Sequence, residues 1–126
     1  MTKDPQAEPQ VERIKGNLSG QKILITYREG GAVYGTYFFE EVHLCQSGNY
    51  MSFGQSRKRT ILDNEQVNNW QNNGTWDVVP SQGQVLLRTR SASGKQESVP
   101  IRLLPDGRLW IDDRISIQRQ GRAECR

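Results

Sequence analysis

Short stretches in which large apolar and polar side chains alternate follow one another along most of the chain. Positions 21–27 set Ile23, Ile25 and Tyr27 against Lys22 and Thr26, with Arg28 continuing the polar row. A period of two is that of a strand with one buried face. The paired glycines Gly30 and Gly31 then permit the positive φ of a tight hairpin. Positions 33–45 form the longest run, rich in β-branched and aromatic residues. Tyr34, Phe38, Val42 and Leu44 share one face, and Tyr37, Phe39, Glu41 and His43 share the other. A third strand is expected over 49–55, where Tyr50, Met51 and Phe53 compete for the core.

The later chain repeats the pattern. Positions 75–79 alternate Trp76 and Val78 with Thr75 and Asp77 and end at Pro80, which cannot donate to a ladder. Positions 84–90 set Val85, Leu87 and Thr89 against Leu86, Arg88 and Arg90. Positions 97–104 bring Val99, Ile101 and Leu103 inward, with Pro100 marking an edge or a bulge. After the Pro105-Asp106-Gly107 turn, positions 108–112 and 114–119 predict a last hairpin with Leu109, Ile111, Ile115 and Ile117 inside. About eight strands at this spacing predict an all-β fold, an antiparallel up-and-down meander. A calycin-like barrel is favoured over a sandwich because closure removes exposed edges. Trp76 is expected to plug the core. The Asn-, Gln- and Arg-rich positions 56–73 read as a loop or wide hairpin connection, with a short helix over 63–71 as the other reading.

With 126 residues the chain fits a single domain. Residues 1–16 read as a flexible arm, because the first stretch carries prolines and mixed charges with few apolar side chains. Residues 17–119 make the β-domain, with Leu18 as its first core residue. Residues 120–126 read as a polar tail. No apolar run approaches the ~20 residues that span a bilayer. Positions 1–15 hold no apolar segment of the signal-peptide type. The chain fits equally a cytoplasmic protein and an exported one whose leader has been removed.

Charge and chemistry narrow the picture only a little. Net charge is +3, with both signs spread through the sequence, which favours acidic partners slightly. Cys45 and Cys125 are too few for a disulfide scaffold or a tetrahedral metal site. They read either as a bridge tying the C-terminus to the middle of the domain or as two unrelated thiols. His43, the single histidine, shares a strand face with Glu41, a pairing capable of acid–base work but more often a surface feature of a strand. Asp112-Asp113 and Asp106 sit in turns without the spacing of a calcium loop. No metal, no cofactor and no catalytic set is expected.

The motifs Leu18-Ser19-Gly20, Leu44-Cys45-Gln46-Ser47-Gly48-Asn49-Tyr50 and Gly74-Thr75-Trp76, followed by the segment 103–111 with its Asp106-Gly107 turn, resemble a small, uncharacterised β-domain family of cyanobacteria and other bacteria. The resemblance covers about residues 18–117 and implies a fold without an activity. That family carries a serine- and glycine-rich stretch before Gly-x-Trp, where this chain is rich in Asn, Gln and Arg. Gly74-Thr75-Trp76 also resembles the Gly-x-Trp signature of calycin barrels, although there the motif belongs to the first strand. What this second likeness implies is the packing role of Trp76.

The expected function is accordingly a non-enzymatic β-barrel module that binds a small-molecule, polymeric or protein ligand at the barrel mouth. Tyr34, Phe38, Tyr50 and Trp70 are the expected apolar contacts. The alternative is single-stranded nucleic-acid binding through a basic, aromatic sheet face, with Arg88, Arg90 and Arg102 opposite the core, Arg57, Lys58 and Arg59 above them, and Tyr37 and Phe39 for stacking.

Overall fold

The computed structural model describes residues 7–30, 35–60 and 65–125. It is an all-β fold with one helix. A helix, α1 (Ala7–Leu18), leads into strands β1 (Gln21–Gly30), β2 (Gly35–Leu44), β3 (Asn49–Arg59), β4 (Glu65–Ser81), β5 (Gln84–Ser91) and β6 (Gln96–Pro100). Two short strands, β7 (Arg102–Leu103) and β8 (Leu109–Trp110), precede β9 (Ile115–Arg122). The main sheet runs β6-β5-β4-β3-β2-β1-β9, antiparallel throughout, and β7 pairs with β8 apart from it. The expected meander of hairpins is therefore present from β1 to β6. Strands β6 and β9 stand at the two ends of this ladder.

One face of the sheet carries the core. Ile23, Val42, Leu44, Tyr50, Trp76, Val78, Val85 and Leu87 cluster there with Ile101 and Leu109. Trp76 is 6% exposed, and its indole N–H donates to the Cys45 carbonyl at 2.8 Å. It is the core plug that the alternation at 75–79 predicts. Its strand is far longer than expected. Gly74 sits in mid-strand opposite Ser91, where a β-carbon would collide with the Arg90 carbonyl. The glycine there permits close backbone approach and does not start a turn.

Several expectations are corrected. Residues 7–16, expected within a flexible arm, belong to α1. Val11, Ile14 and Leu18 lie at helical spacing on one side, and Ile14 and Leu18 are almost completely buried. The helix touches β1, β4, β5 and β7. Because β1 and β4 are separated by two strands in the ladder, the sheet must curl to bring both to the helix. Lys15 adds an ion pair to Asp77 at 3.1 Å. Positions 56–59 and 65–73, expected as a loop or wide hairpin connection with a short helix over 63–71 as the other reading, are strand, pairing in an uninterrupted register from Asn49↔Thr75 to Arg59↔Glu65. Positions 61–64 lie outside the described residues.

The expected strand 97–104 divides at Pro100. Its first part pairs with β5, while the Ile101 amide donates to Val85 and Arg102–Leu103 turns to β8. The expected last hairpin does not form as such. β8 pairs with β7 and β9 pairs with β1, leaving a single Asp112↔Ile115 bridge between the two segments.

The C-terminal segment, expected as a polar tail, is tied to the domain, and of the two readings of the cysteines the bridge is the one present. β9 continues to Arg122, the Ala123 amide donates to Gly20, and Cys125 is bonded to Cys45 with 5.9 Å between their Cα atoms. Among the described residues, no helix is long and apolar enough to cross a membrane.

Candidate functional site

Strand register assembles the candidate site on the concave face. In antiparallel ladders, directly paired residues share a face. One row across four strands reads Ile25, Glu40, Gly54, Trp70, and the next reads Ile23, Val42, Ser52, Asn72. Gly54 has no side chain, so the Trp70 indole lies in the space above it; a β-carbon at Gly54 would run into the ring. The indole thereby crosses β3 and donates its N–H to a Glu40 carboxylate oxygen at 2.7 Å. Phe38, two residues from Glu40 on β2, stacks on Trp70 with 5.2 Å between centroids and 22° between planes.

Beside this cluster opens a cavity of about 400 Å³. Ile25, Val42, Leu87 and Val99 supply its apolar lining; Tyr50, Ser52, Asn72, Thr89 and Ser98 supply hydroxyl and amide groups; Glu40 and Glu97 supply carboxylates. Ile25 of β1 and Val99 of β6 line the same space although their strands lie far apart in the ladder, another consequence of the curl. Burial pushes the Glu40 carboxyl above the ordinary carboxylate range; the Trp70 hydrogen bond opposes this and the charge of Glu97 adds to it. Burial likewise raises the Tyr50 phenol, opposed by its hydrogen bond with Thr89. Glu97 forms a solvent-exposed ion pair with Lys95 at 3.1 Å. The site can therefore offer a hydrogen-bonding wall with negative charge on an apolar floor.

Of the four expected apolar contacts, Tyr50 lines the cavity while Phe38 and Trp70 form the cluster at Glu40. Tyr34 lies outside the described residues. Sequence reasoning missed Glu40 itself. The signal was there: Phe38, Glu40 and Val42 occupy alternate positions of one strand, so a carboxylate falls between two inward side chains.

The expected basic patch is not one surface. Arg57 and Arg59 share the outer face with Tyr37 and Phe39, and Arg28 lies over the Tyr37 ring at 5.3 Å. Lys58, one residue out of phase, lies on the concave face opposite Thr36 and Gln66. Arg88 and Arg90 are on the outer face opposite Asp77 and Thr75. Arg57 pairs with Val67 and Arg90 with Thr75 of the same strand, a separation of about 27 Å at ~3.4 Å per residue. Arg102 lies off the main sheet, over the Trp110 ring.

His43 and Glu41 do share the outer face, with Nε2 3.5 Å from a carboxylate oxygen. Nδ1 accepts the Glu124 amide N–H at 2.9 Å, so the ring proton resides on Nε2 and faces Glu41. Phe53 meets the ring edge-on at 6.0 Å. The histidine is buried beneath the C-terminal segment and anchors it. Among the described residues, no three His, Cys, Asp or Glu side chains converge as a metal-binding group. Comparisons with protein-family models, with curated proteins and with solved structures found no match to this chain.

Proposed function

We propose that this protein is a non-enzymatic, calycin-like barrel module of the small bacterial β-domain type that binds its ligand in the cavity beside Glu40. The observation that carries this reading is the cavity itself: apolar floor, hydroxyl-rich wall and partly buried carboxylate, with the stacked Phe38–Trp70 pair alongside. Sites of this size and mixed lining suit small ligands or a terminal group of a larger one. The ligand class it fits is a compact polar molecule with a basic nitrogen or several hydroxyls, supplied free, as the end of a polymer, or as a protein side chain. A positive group would offset the desolvated charge of Glu40, which is otherwise unfavourable.

The test is chemical-shift mapping on methyl-labelled protein against a panel of simple alkylammonium ions and neutral sugars. Saturable shifts at Val42, Leu87 and Val99, lost in Glu40→Leu while the fold is retained, support the proposal. Saturable binding that maps only to the outer face overturns it.

The grouping of Arg28, Tyr37, Phe39, Arg57 and Arg59 on one outer surface favours the alternative, single-stranded nucleic-acid binding. That reading requires oligo-dT affinity that falls steeply with salt and weakens in Tyr37→Ala. Affinity that is absent or salt-insensitive removes it.

A further inference from the structure

Strand β4 is exposed along half of one edge. It pairs with β3 over Glu65–Thr75, but with β5 only from Gly74 onward. The directions of its main-chain groups follow from two hydrogen bonds. The Trp76 amide donates toward β3, to Gly48, while the Asn73 carbonyl accepts from Ala92 on the β5 side. The N–H and C=O of one strand residue point the same way, and successive residues alternate. Odd positions therefore turn away from β3. Glu65, Val67, Asn69 and Gln71 present four N–H and four C=O groups on this side, and none of them has a partner among the described residues.

Natural edges are usually blunted by lysine, proline, a bulge or a cover. Among the described residues this one has none of these, and Glu65 is its one charge. The register with β3 is unbroken, residues 65–72 include no Lys and no Pro, and all but Trp70 are exposed. Val67 is 46% exposed.

We propose that this edge is an interaction surface for a second copy of the same chain, with residues 65–71 of the two copies pairing antiparallel about a two-fold axis at Asn68. The segment is its own complement in that register. Val67 meets Asn69 of the second copy and Glu65 meets Gln71, so the odd positions form hydrogen-bonded pairs with up to eight main-chain bonds. Asn73, whose carbonyl is already used, stays outside the paired stretch. The one charged residue, Glu65, meets a neutral amide and never its own copy. The two hairpin tips carrying Arg57, Lys58 and Arg59 point in opposite directions, which keeps their positive charges apart. An occupant of different sequence would have to match an Asn- and Gln-lined edge that this chain matches by itself. The same register sets Gln66 of the second copy beside Trp70, so pairing brings a second-copy residue next to the Phe38–Trp70–Glu40 cluster.

Sedimentation equilibrium over a wide concentration range tests this, with the full chain and two variants. Val67→Pro removes an N–H that points outward and leaves the β3 ladder whole. Val67→Lys places a charge on the edge without altering the backbone. The expected result is a concentration-dependent dimer of the wild type, monomeric Val67→Pro, and at least tenfold weaker association of Val67→Lys. Thermal melts should show both variants folded. If Val67→Pro does not fold, Val67→Lys decides alone. A wild type that stays monomeric at about millimolar concentration overturns the proposal, as does a dimer unaffected by Val67→Lys.

Discussion

Opening the Cys45–Cys125 bridge by Cys125→Ser is the most searching perturbation of this fold. The bridge joins residues separated by 80 positions. In the chain-entropy model, a closed loop of that length limits the denatured chain enough to contribute about 4–5 kcal/mol. Domains of this size are stable by ~5–15 kcal/mol in total, so the loss is a large share of the whole. The folded side loses less. Cys45 remains buried just past the end of β2, but the segment that delivers the Glu124 amide to His43 is no longer tethered, and a net hydrogen bond is worth ~1 kcal/mol. The two contributions are separable. Urea melts of the oxidised wild type, the wild type under reductant and Cys125→Ser should give a destabilisation near the sum, with a steeper m-value in both opened forms because their denatured chains expand further. Histidine NMR signals recorded far below the midpoint report the folded part independently: release of the segment shifts His43, whereas a purely denatured-state effect leaves it in place. A destabilisation below ~1.5 kcal/mol with an unchanged m-value would refute the entropic reasoning.

Three further outcomes follow from the geometry. Trp76→Ala should cost about 3–5 kcal/mol in denaturant melts, since it empties the core and leaves the Cys45 carbonyl without its donor; a loss under ~1 kcal/mol would contradict a buried plug. Gly54→Ala should cost about 1–3 kcal/mol by overpacking and displace the Trp70 ring, read as a change in the near-ultraviolet circular dichroism of the Phe38–Trp70 pair; an unaltered spectrum would mean that the ring does not need the glycine. Glu40→Gln tests the partly buried carboxyl. Its folded pKa is raised, chiefly by burial, so the folded protein holds this proton more tightly than the unfolded chain. The stability gained from protonation is full below the unfolded value of ~4.3 and is lost as pH rises through the higher folded value. The difference between Glu40→Gln and wild type should therefore grow in favour of the variant from about pH 4 upward, and a pH-independent difference would sink the argument.

The parts of the fold that sequence made legible are those where alternation is written in strong apolar residues. Ile23, Val42, Val78, Val85 and Leu87 lie on the core face as the period of two requires, and Trp76 is sealed among them. Two of the regions that escaped did so for different reasons. In α1 the apolar positions Val11, Ile14 and Leu18 keep helical spacing, but Gly16 interrupts them and Pro9 precedes them, so propensity argues against a helix that only tertiary burial secures. In 65–73, Asn and Gln have little β-propensity of their own; the strand exists because β3 offers a ladder in matching register. That second miss is also the reason the candidate site was only half visible. Trp70 can reach Glu40 only if 65–73 is a strand, because only then does Gly54 come between them in the same row. A reading of 65–73 as loop leaves Trp70 without an address, Glu40 as one carboxylate among many, and Gly54 without a purpose. Pairing β3 with β4 gives all three a role at once, and the same pairing leaves the outer edge of 65–71 open. The dimer test and the Glu40→Gln titration thus examine two consequences of one register. A shift of that register by a single residue would turn Trp70 to the outer face and take the odd-numbered amides off the open edge together.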